Sequence, residues 1–351
     1  MFRLVQVLVV TLVVTLRPIS GWITKNPSRP SISLRLVVDS ITDAPQTATT
    51  AKQALLSLLS GRTDPVLCCP TSLEPLIKTE LFLGTPDEKW SCSKFGTVYR
   101  RTGPYISLVP SNGASKPFWE KSLQEVVQTD TFRNPFTAFL YERGWRQGFA
   151  NAGFPGIDAE FELLLDFFSA VVVDENKEAG NFPVMAGTVL DMSCGSGLMS
   201  RRLAKEGTLS KLISADFSEA MLLETNRRFE EEKKTAASLA FPELVRCDVA
   251  CLPLGSGSID GCHAGAALHC WPQLEEGLGE ICRVLKPGGK FFATTFKKGA
   301  YGIPRQANSQ GGASFRFFDV DELENLLREA GFSEVDVELV GQGCLIARCT
   351  K

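Results

Sequence analysis

Between Thr188 and Phe296 short apolar segments alternate with amphipathic ones at a regular spacing, and this run constrains the fold more than any other feature. It predicts strands at Thr188–Met192, Leu212–Asp216, Glu243–Asp248, Gly261–Leu268 and Lys290–Phe296. Helices fall between them at Leu198–Glu206, Glu219–Glu232 and Leu274–Leu285. Such alternation gives crossover connections, so the strands run parallel and helices cover both faces of one sheet. Upstream, Phe161, Leu164, Leu165 and Phe168 recur at helical spacing within Ala159–Ala170, a helix leading into the sheet. Downstream, a helix at Val320–Ala330 precedes Val335–Val340 and Cys344–Cys349, a closing antiparallel hairpin. The expected class is α/β, a Rossmann-like sheet whose ligands bind at the carboxyl ends of its strands.

The first strand runs into Asp191-Met192-Ser193-Cys194-Gly195-Ser196-Gly197. A glycine-rich turn between strand and helix lets backbone approach a ligand closely. The third glycine of a dinucleotide fingerprint is missing, because position 200 is Ser200. Asp191 also places a carboxylate at the mouth of the loop, where it would repel a pyrophosphate. A phosphate-free, cationic ligand fits better, and S-adenosylmethionine (SAM) has an ammonium and a sulfonium. Asp216 ends the next strand, placed to accept both ribose hydroxyls, and Asp248 the third, placed to accept from an adenine amino group. One such aspartate reads as a turn or cap; three in succession read as a site.

On these residues the chain resembles class I SAM-dependent methyltransferases of the methyltransferase-11 type, from about Phe132 to Cys349. The turn Lys286-Pro287-Gly288-Gly289 before the fifth strand belongs to the resemblance. Leu140-Tyr141-Glu142-Arg143-Gly144-Trp145-Arg146 and His263-Ala264-Gly265-Ala266-Ala267-Leu268-His269-Cys270-Trp271-Pro272 are similar to the uncharacterised chloroplast methyltransferases of plants. The resemblance implies SAM contacts from Asp191, Ser193, Cys194, Gly195, Ser196, Gly197, Asp216, Asp248 and the backbone of Val249. It implies that Ala266 to His269 line the site and that residues 141–146 form a lid.

Methyl transfer from a sulfonium needs alignment and exclusion of water more than covalent help. A base matters only where the acceptor must lose a proton. His269, one of two histidines, is the candidate base or a shaper of the pocket, and Tyr141 a weaker catalytic candidate or a lid contact. Cys194, Cys247, Cys251 and Cys270 show no ligand spacing and read as small buried thiols.

The N-terminus is organised differently. Arg3, the apolar stretch Leu4–Leu16 and Ser20-Gly21 have the layout of a signal peptide; an uncleaved anchor is the other reading. Residues 22–39 carry Lys25, Arg29, Arg35 and serines with no acid before Asp39, as in a transit peptide. Together they resemble the two-part presequences of algae with secondary plastids, so the expected address is the plastid, with an endomembrane or secreted destination as the alternative. Residues 1–64 are read as presequence and linker, with a short helix at Ala51–Leu59. Residues 65–115 form a small cysteine-bearing module, and residues 118–351 the catalytic domain with its lid. In the module, Cys69-Pro70-Thr71-Ser72 and Cys92-Ser93-Lys94-Phe95 hold Ser72 and Phe95 where a zinc ribbon needs thiolates. Cys68 supplies only a third thiol, so the expected metal is none.

The acceptor is less legible. Thirty-seven Lys and Arg against 40 Asp and Glu, with no sustained basic run, disfavour nucleic acid. Phe132, Phe136, Phe139, Leu140, Tyr141, Trp145, Phe149 and Phe154 crowd the lid region. Some of them would line a pocket for a small apolar acceptor, prenylquinone-like by analogy with quinone-biosynthesis methyltransferases, or touch a plastid lipid surface. The alternatives are a ribosomal RNA base methyltransferase and a SAM-binding protein without catalysis. The Gly-, Ser- and Gln-rich segment 297–315 matches no pattern.

Overall fold

Alternate residues of the same strands feed two separate apolar clusters, which places helical layers on both faces of one sheet. Val189, Leu212, Phe292 and Ile346 belong to one cluster; Leu190, Ile213, Phe291 and Leu345 belong to the other. The computed structural model describes residues 67–79, 89–109, 149, 153–169, 187–236, 239–299 and 315–351. The presequence and linker, the Ala51–Leu59 helix, the 132–148 stretch with Tyr141, and residues 300–314 lie outside the described residues.

The described elements begin with β1 (Ile77–Thr79), β2 (Lys89–Ser91), β3 (Val98–Thr102) and β4 (Tyr105–Ser107). Then come α1 (Ile157–Ser169), β5 (Thr188–Met192), α2 (Leu198–Glu206), β6 (Lys211–Asp216), α3 (Glu219–Lys233), β7 (Glu243–Arg246) and β8 (Ile259–Ala264). The chain closes with α4 (Leu274–Val284), β9 (Leu285–Phe296), α5 (Val320–Glu329), β10 (Glu334–Val340) and β11 (Cys344–Thr350). Strand order is β1-β2-β3-β4-β7-β6-β5-β8-β9-β11-β10. Strands β5 to β9 pair in parallel, and β11 is antiparallel to both β9 and β10. This is the expected Rossmann-like sheet with an antiparallel C-terminal edge.

The order reverses at β5, which has β6 on one side and β8 on the other. That switch point opens a crevice outside the carboxyl ends of the strands. Helix packing follows the sequence pattern. In α1 the buried stripe is Glu160, Leu164 and Phe168, four residues apart, with the two apolar members fully enclosed. Ser218 caps α3, its Oγ accepting from Met221 N at 3.3 Å.

Three boundaries depart from expectation. β8 stops at Ala264, and Leu268–Cys270 forms a single 3₁₀ turn where the strand was expected to continue. Ala266 takes a left-handed φ of 48°, which no continuing strand can accommodate. β7 ends at Arg246, so Asp248 lies in the following turn. β9 begins already at Leu285, but Lys286–Gly289 bulge out: Ile259 pairs with Leu285 and Gly261 with Lys290.

The cysteine-bearing segment continues the same sheet. β4 pairs in parallel with β7, Ile106 opposite Val245 and Ser107 opposite Arg246. Cys68 N donates to Pro253 O at 2.8 Å, and Cys251 Sγ to Pro70 O at 2.7 Å. Ser72 Oγ lies 3.4 Å from Cys92 Sγ, while Phe95 points outward, 54% exposed. All eleven cysteines are unpaired, and among the described residues no group of three or more His, Cys, Asp or Glu is arranged to hold a metal.

Candidate cofactor and acceptor site

The loop after β5 is built from unusual backbone. Ser193, Gly195 and Gly197 all have positive φ, 57°, 57° and 76°. For Ser193 that conformation carries a cost, which the surroundings must over-determine. They do so from three elements. Trp271 Nε1 donates to Ser193 Oγ at 3.0 Å, Cys194 N to Ala215 O at 3.0 Å, and Thr225 Oγ1 to Gly195 O at 2.7 Å. Gly197 is required twice over, because a Cβ there would also sit 2.5 Å from the Thr225 methyl. Ser196 and Cys194 are buried beneath the loop.

Asp216 faces this loop from the end of β6. Its Oδ2 accepts from Gly195 N at 2.9 Å and its Oδ1 from Ser218 N at 2.8 Å. Each oxygen keeps a second lone pair, so a vicinal diol can donate to both. Burial raises the carboxyl to about 6, more than its backbone hydrogen bonds lower it. Asp248 uses Oδ1 to accept from Ala250 N at 3.0 Å, which leaves Oδ2 for a ligand. Val249 is buried next to it, and both Val249 and Trp271 lie within contact of Gly277, where a side chain would displace them. Glycine turn, diol acceptor and apolar wall thus converge at the ends of β5 to β8, and their chemistry fits an adenosyl group without phosphates.

Asp191 is placed otherwise than its sequence position suggested. It is 1% exposed, with Oδ1 2.8 Å from His263 Nδ1 and Oδ2 accepting from Ser200 Oγ. Each oxygen thus has a partner inside the protein, and Asp191 is enclosed more deeply than Asp216, 1% against 9% exposed. His263 Nε2 in turn lies 3.6 Å from Glu160 Oε1, which accepts from Thr294 Oγ1 at 3.1 Å. Burial lowers the imidazole pKa, but the hydrogen bond to Asp191 and the charges of Asp191 and Glu160 outweigh it and raise His263 to about 9. An imidazolium between two buried carboxylates therefore underlies the loop. Sequence reasoning missed it. The available signals were an acid in the buried stripe of α1 and a histidine between Cys262 and Ala264 in the inner half of β8.

His269, the other histidine, sits in the 3₁₀ turn after β8, 6% exposed. Its ring centroid is 4.7 Å from Phe296, 5.4 Å from Phe315 and 6.4 Å from Phe317. Phe149 and Phe154 extend the cluster, 5.3 and 4.7 Å from Phe296. Nδ1 has no hydrogen-bond partner, and burial drives the imidazole down to about 3. His269 is thus neutral and a weak base at neutral pH, with one buried nitrogen left over among aromatic rings. Tyr141 lies outside the described residues.

Replacing Asp216 by alanine is expected to weaken SAM binding by about 1–3 kcal/mol, the loss of two hydrogen bonds. Wild-type affinity should itself fall as pH drops below about 6, because the protonated carboxyl accepts less well. Titration calorimetry from pH 5 to 8 checks both; equal affinities for wild type and variant would remove Asp216 from the site.

Comparison with known proteins bears on the family of the chain. Residues 190–293 match the family described as Methyltransferase domain. An uncharacterized chloroplastic methyltransferase of Arabidopsis thaliana is 34% identical over 77% of this chain and 74% of its own length. A second from the same plant is 40% identical over 68% of this chain and 64% of its own. A demethylmenaquinone methyltransferase of Clavibacter sepedonicus is 27% identical over 44% of this chain and 69% of its own.

Proposed function

Because the chain belongs to the SAM-dependent methyltransferases, we propose that it methylates a small apolar, quinone-like acceptor in the plastid. The observation that carries this reading is the buried, unpaired Nδ1 of His269 inside a cluster of five phenylalanines. Phe149 and Phe296 are only half-buried, so ring surface remains for a flat apolar ligand. A single polar group among apolar walls orients such a ligand by one hydrogen bond. A relative named as a demethylmenaquinone methyltransferase supports the acceptor class. Two relatives named as chloroplastic, together with the presequence composition, support the location.

When bound, SAM supplies an electrophilic methyl. The chain's own work is to hold and align. Asp216 would accept the ribose hydroxyls, Asp248 and Val249 would contact the adenine, and the Ser193–Gly197 turn would let the rest approach the backbone. Trp271, tied to Ser193, joins the cofactor loop to the acceptor side. His269 hydrogen-bonds a hydroxyl or carbonyl of the acceptor and excludes water with its aromatic neighbours. With its pKa near 3, it positions the acceptor and does not take up a proton in the pH range of the cell.

Incubation with labelled SAM and either plastid lipid extract or plastid RNA tests the acceptor class, label in lipid being the expected result. Label confined to RNA would replace this reading with the nucleic-acid one. His269→Phe keeps the aromatic packing but loses the orphan nitrogen. It should lower kcat/KM by about tenfold to a hundredfold with SAM affinity unchanged, one hydrogen bond to the acceptor being worth about that much. A pH–rate profile with an inflection that disappears in this variant would instead make His269 the base.

A further inference from the structure

The turn that carries Asp248 and Val249 is gripped from outside by the cysteine-bearing segment, far upstream in the chain. Where the chain enters the turn, Leu108 N donates to Arg246 O at 2.8 Å, extending the parallel pairing of β4 with β7. Where it leaves, Cys68 N donates to Pro253 O at 2.8 Å, and Leu67 forms an antiparallel bridge with Leu254. Between these two anchors, Cys251 Sγ donates to Pro70 O at 2.7 Å across 181 positions of sequence. Within the turn, Asp248 and Cys251 form an antiparallel bridge, Cys251 N donating to Asp248 O at 3.1 Å. Cys251 is thus fixed from two sides, its backbone to Asp248 and its side chain to Pro70.

Donor and acceptor are both prepared for this contact. Burial, with the charges of Glu280 and Asp248, raises the Cys251 thiol above its ordinary range, so it keeps its proton and can donate. Pro70 lies in a turn closed by Leu73 N on Cys69 O and by Cys69 N on Glu74 O, both at 2.8 Å. Side chains tie that turn to the strands behind it. Cys69 Sγ lies 3.3 Å from the Tyr99 hydroxyl of β3, and Ser72 Oγ 3.4 Å from Cys92 Sγ, just after β2. The catalytic side supplies a second support, but only beyond Cys251. Glu280 of α4 accepts from Leu252 N at 2.7 Å, and Arg283 donates to Leu252 O and Leu254 O at 3.0 and 2.9 Å. These bonds hold residues 252–254 whether or not Cys251 has a partner. Among the described residues, Pro70 O is the sole hydrogen-bond partner of the Cys251 thiol.

We propose that Cys251 is a positioning residue for the cofactor, and that through it the cysteine-bearing segment sets the selectivity of the site for adenine. The proposal rests on the reading that Asp248 accepts from the adenine amino group. Asp248 spends Oδ1 on Ala250 N at 3.0 Å, so Oδ2 alone is left to meet the base. An acceptor discriminates between base edges only while its distance and direction are kept. Loss of the thiol bond releases residues 248–251 on one side and leaves the sheet and α4 in place. Its effect is therefore confined to recognition of the base. Asp216 and the glycine turn, on the ribose side, are held by other bonds.

Titration calorimetry of the full chain with S-adenosylhomocysteine and with S-inosylhomocysteine, in which an oxo group replaces the adenine amino donor, tests the proposal. The wild type should bind the adenosyl compound about tenfold or more tightly than the inosyl one, and Asp248→Ala should abolish that preference. Cys251→Ala should lose about fivefold in affinity for the adenosyl compound, the worth of one hydrogen bond, and little for the inosyl one, so the preference shrinks. Cys251→Ser returns a donor to Pro70 O and should restore both affinity and preference. Hydrogen exchange should quicken at residues 247–251 of Cys251→Ala and stay unchanged in β5, β6 and α4, which separates a displaced turn from a loosened fold. If the wild type shows no preference, or Asp248→Ala retains it, the adenine reading fails and the proposal with it. If Asp248→Ala abolishes the preference but Cys251→Ala keeps it, or Cys251→Ser behaves like alanine, the positioning role is overturned while the adenine reading stands. Equal losses for both compounds, with exchange raised throughout the sheet, would also overturn it by showing a purely structural role.

Discussion

Replacing His263 by leucine is expected to cost about 3–5 kcal/mol of folding stability, the range for leaving buried charge without its counter-charge. Asp191 and Glu160 are 1% and 2% exposed, and His263 lies between them as their shared cation. Leucine fills a similar volume but leaves two carboxylates facing an apolar side chain. A second substitution separates charge from shape. With Asp191→Asn already present, His263→Leu should cost less than it does alone, because one of the stranded charges is gone. The same cluster predicts a pH dependence. The histidine is raised from 6.5 to about 9 in the folded protein, so the stability it contributes is fully present below about pH 6.5. It is lost as pH rises through about 9, a change of about 3 kcal/mol. Urea unfolding at pH 6, 7.5 and 9 measures both effects. A leucine variant within 1 kcal/mol of wild type, with a flat profile, would show that no buried imidazolium is there.

The second large effect is expected at Gly197. Alanine would have to adopt φ of 76° at a cost of about 1–2 kcal/mol, with its methyl 2.5 Å from Thr225 Cγ2. Either the loop or α3 must shift; the Thr225–Gly195 bond spans the two, and Gly195 is also held by Asp216 at the end of β6. The binding surface for SAM would then be displaced as a unit, so affinity should fall at least about a hundredfold, equivalent to about 3 kcal/mol. Thr225→Ser retains the hydroxyl that donates to Gly195 O and removes the clashing methyl. Added to Gly197→Ala it should recover part of the affinity and leave the deficit owed to backbone strain. If Gly197→Ala binds SAM normally, or if Thr225→Ser restores nothing, the close approach of α3 is not what demands glycine.

The layers and the location of the site were legible before any coordinates. Alternation of apolar segments at strand and helix lengths is a local property, so Thr188 to Phe296 reads directly as β5 to β9 with their helices. A positive-φ turn also writes itself locally, as Gly195 and Gly197, because only glycine takes that backbone freely. Asp216 was legible for the same reason, a strand-terminal acid next to that turn. Boundaries were less so. Nothing local distinguishes Gly265-Ala266-Ala267 as the end of β8 from its continuation, and the stop comes from the left-handed Ala266, held where its N donates to Thr294 Oγ1 at 2.8 Å.

Asp191 shows where local reading ends. Its position in the chain puts it at the loop mouth, yet its partner His263 is 72 residues away and Glu160, beyond that, comes from a helix outside the alternating run. A charge at a strand end is visible in the sequence; the direction its side chain takes depends on which neighbour the sheet order supplies. The same holds for the cysteine-bearing segment. Its missing ligands could be read from Ser72 and Phe95, but its union with the catalytic sheet rests on β4 meeting β7, more than 130 residues later. The sequence by itself determined the layers, the glycine turn and the strand-terminal Asp216 beside it, because each depends on backbone conformation within a few residues. The buried charge cluster, the neutral His269 among its phenylalanines and the hold of Pro70 on Cys251 were decided only by tertiary structure, because burial and pairing are properties of residues that meet in space.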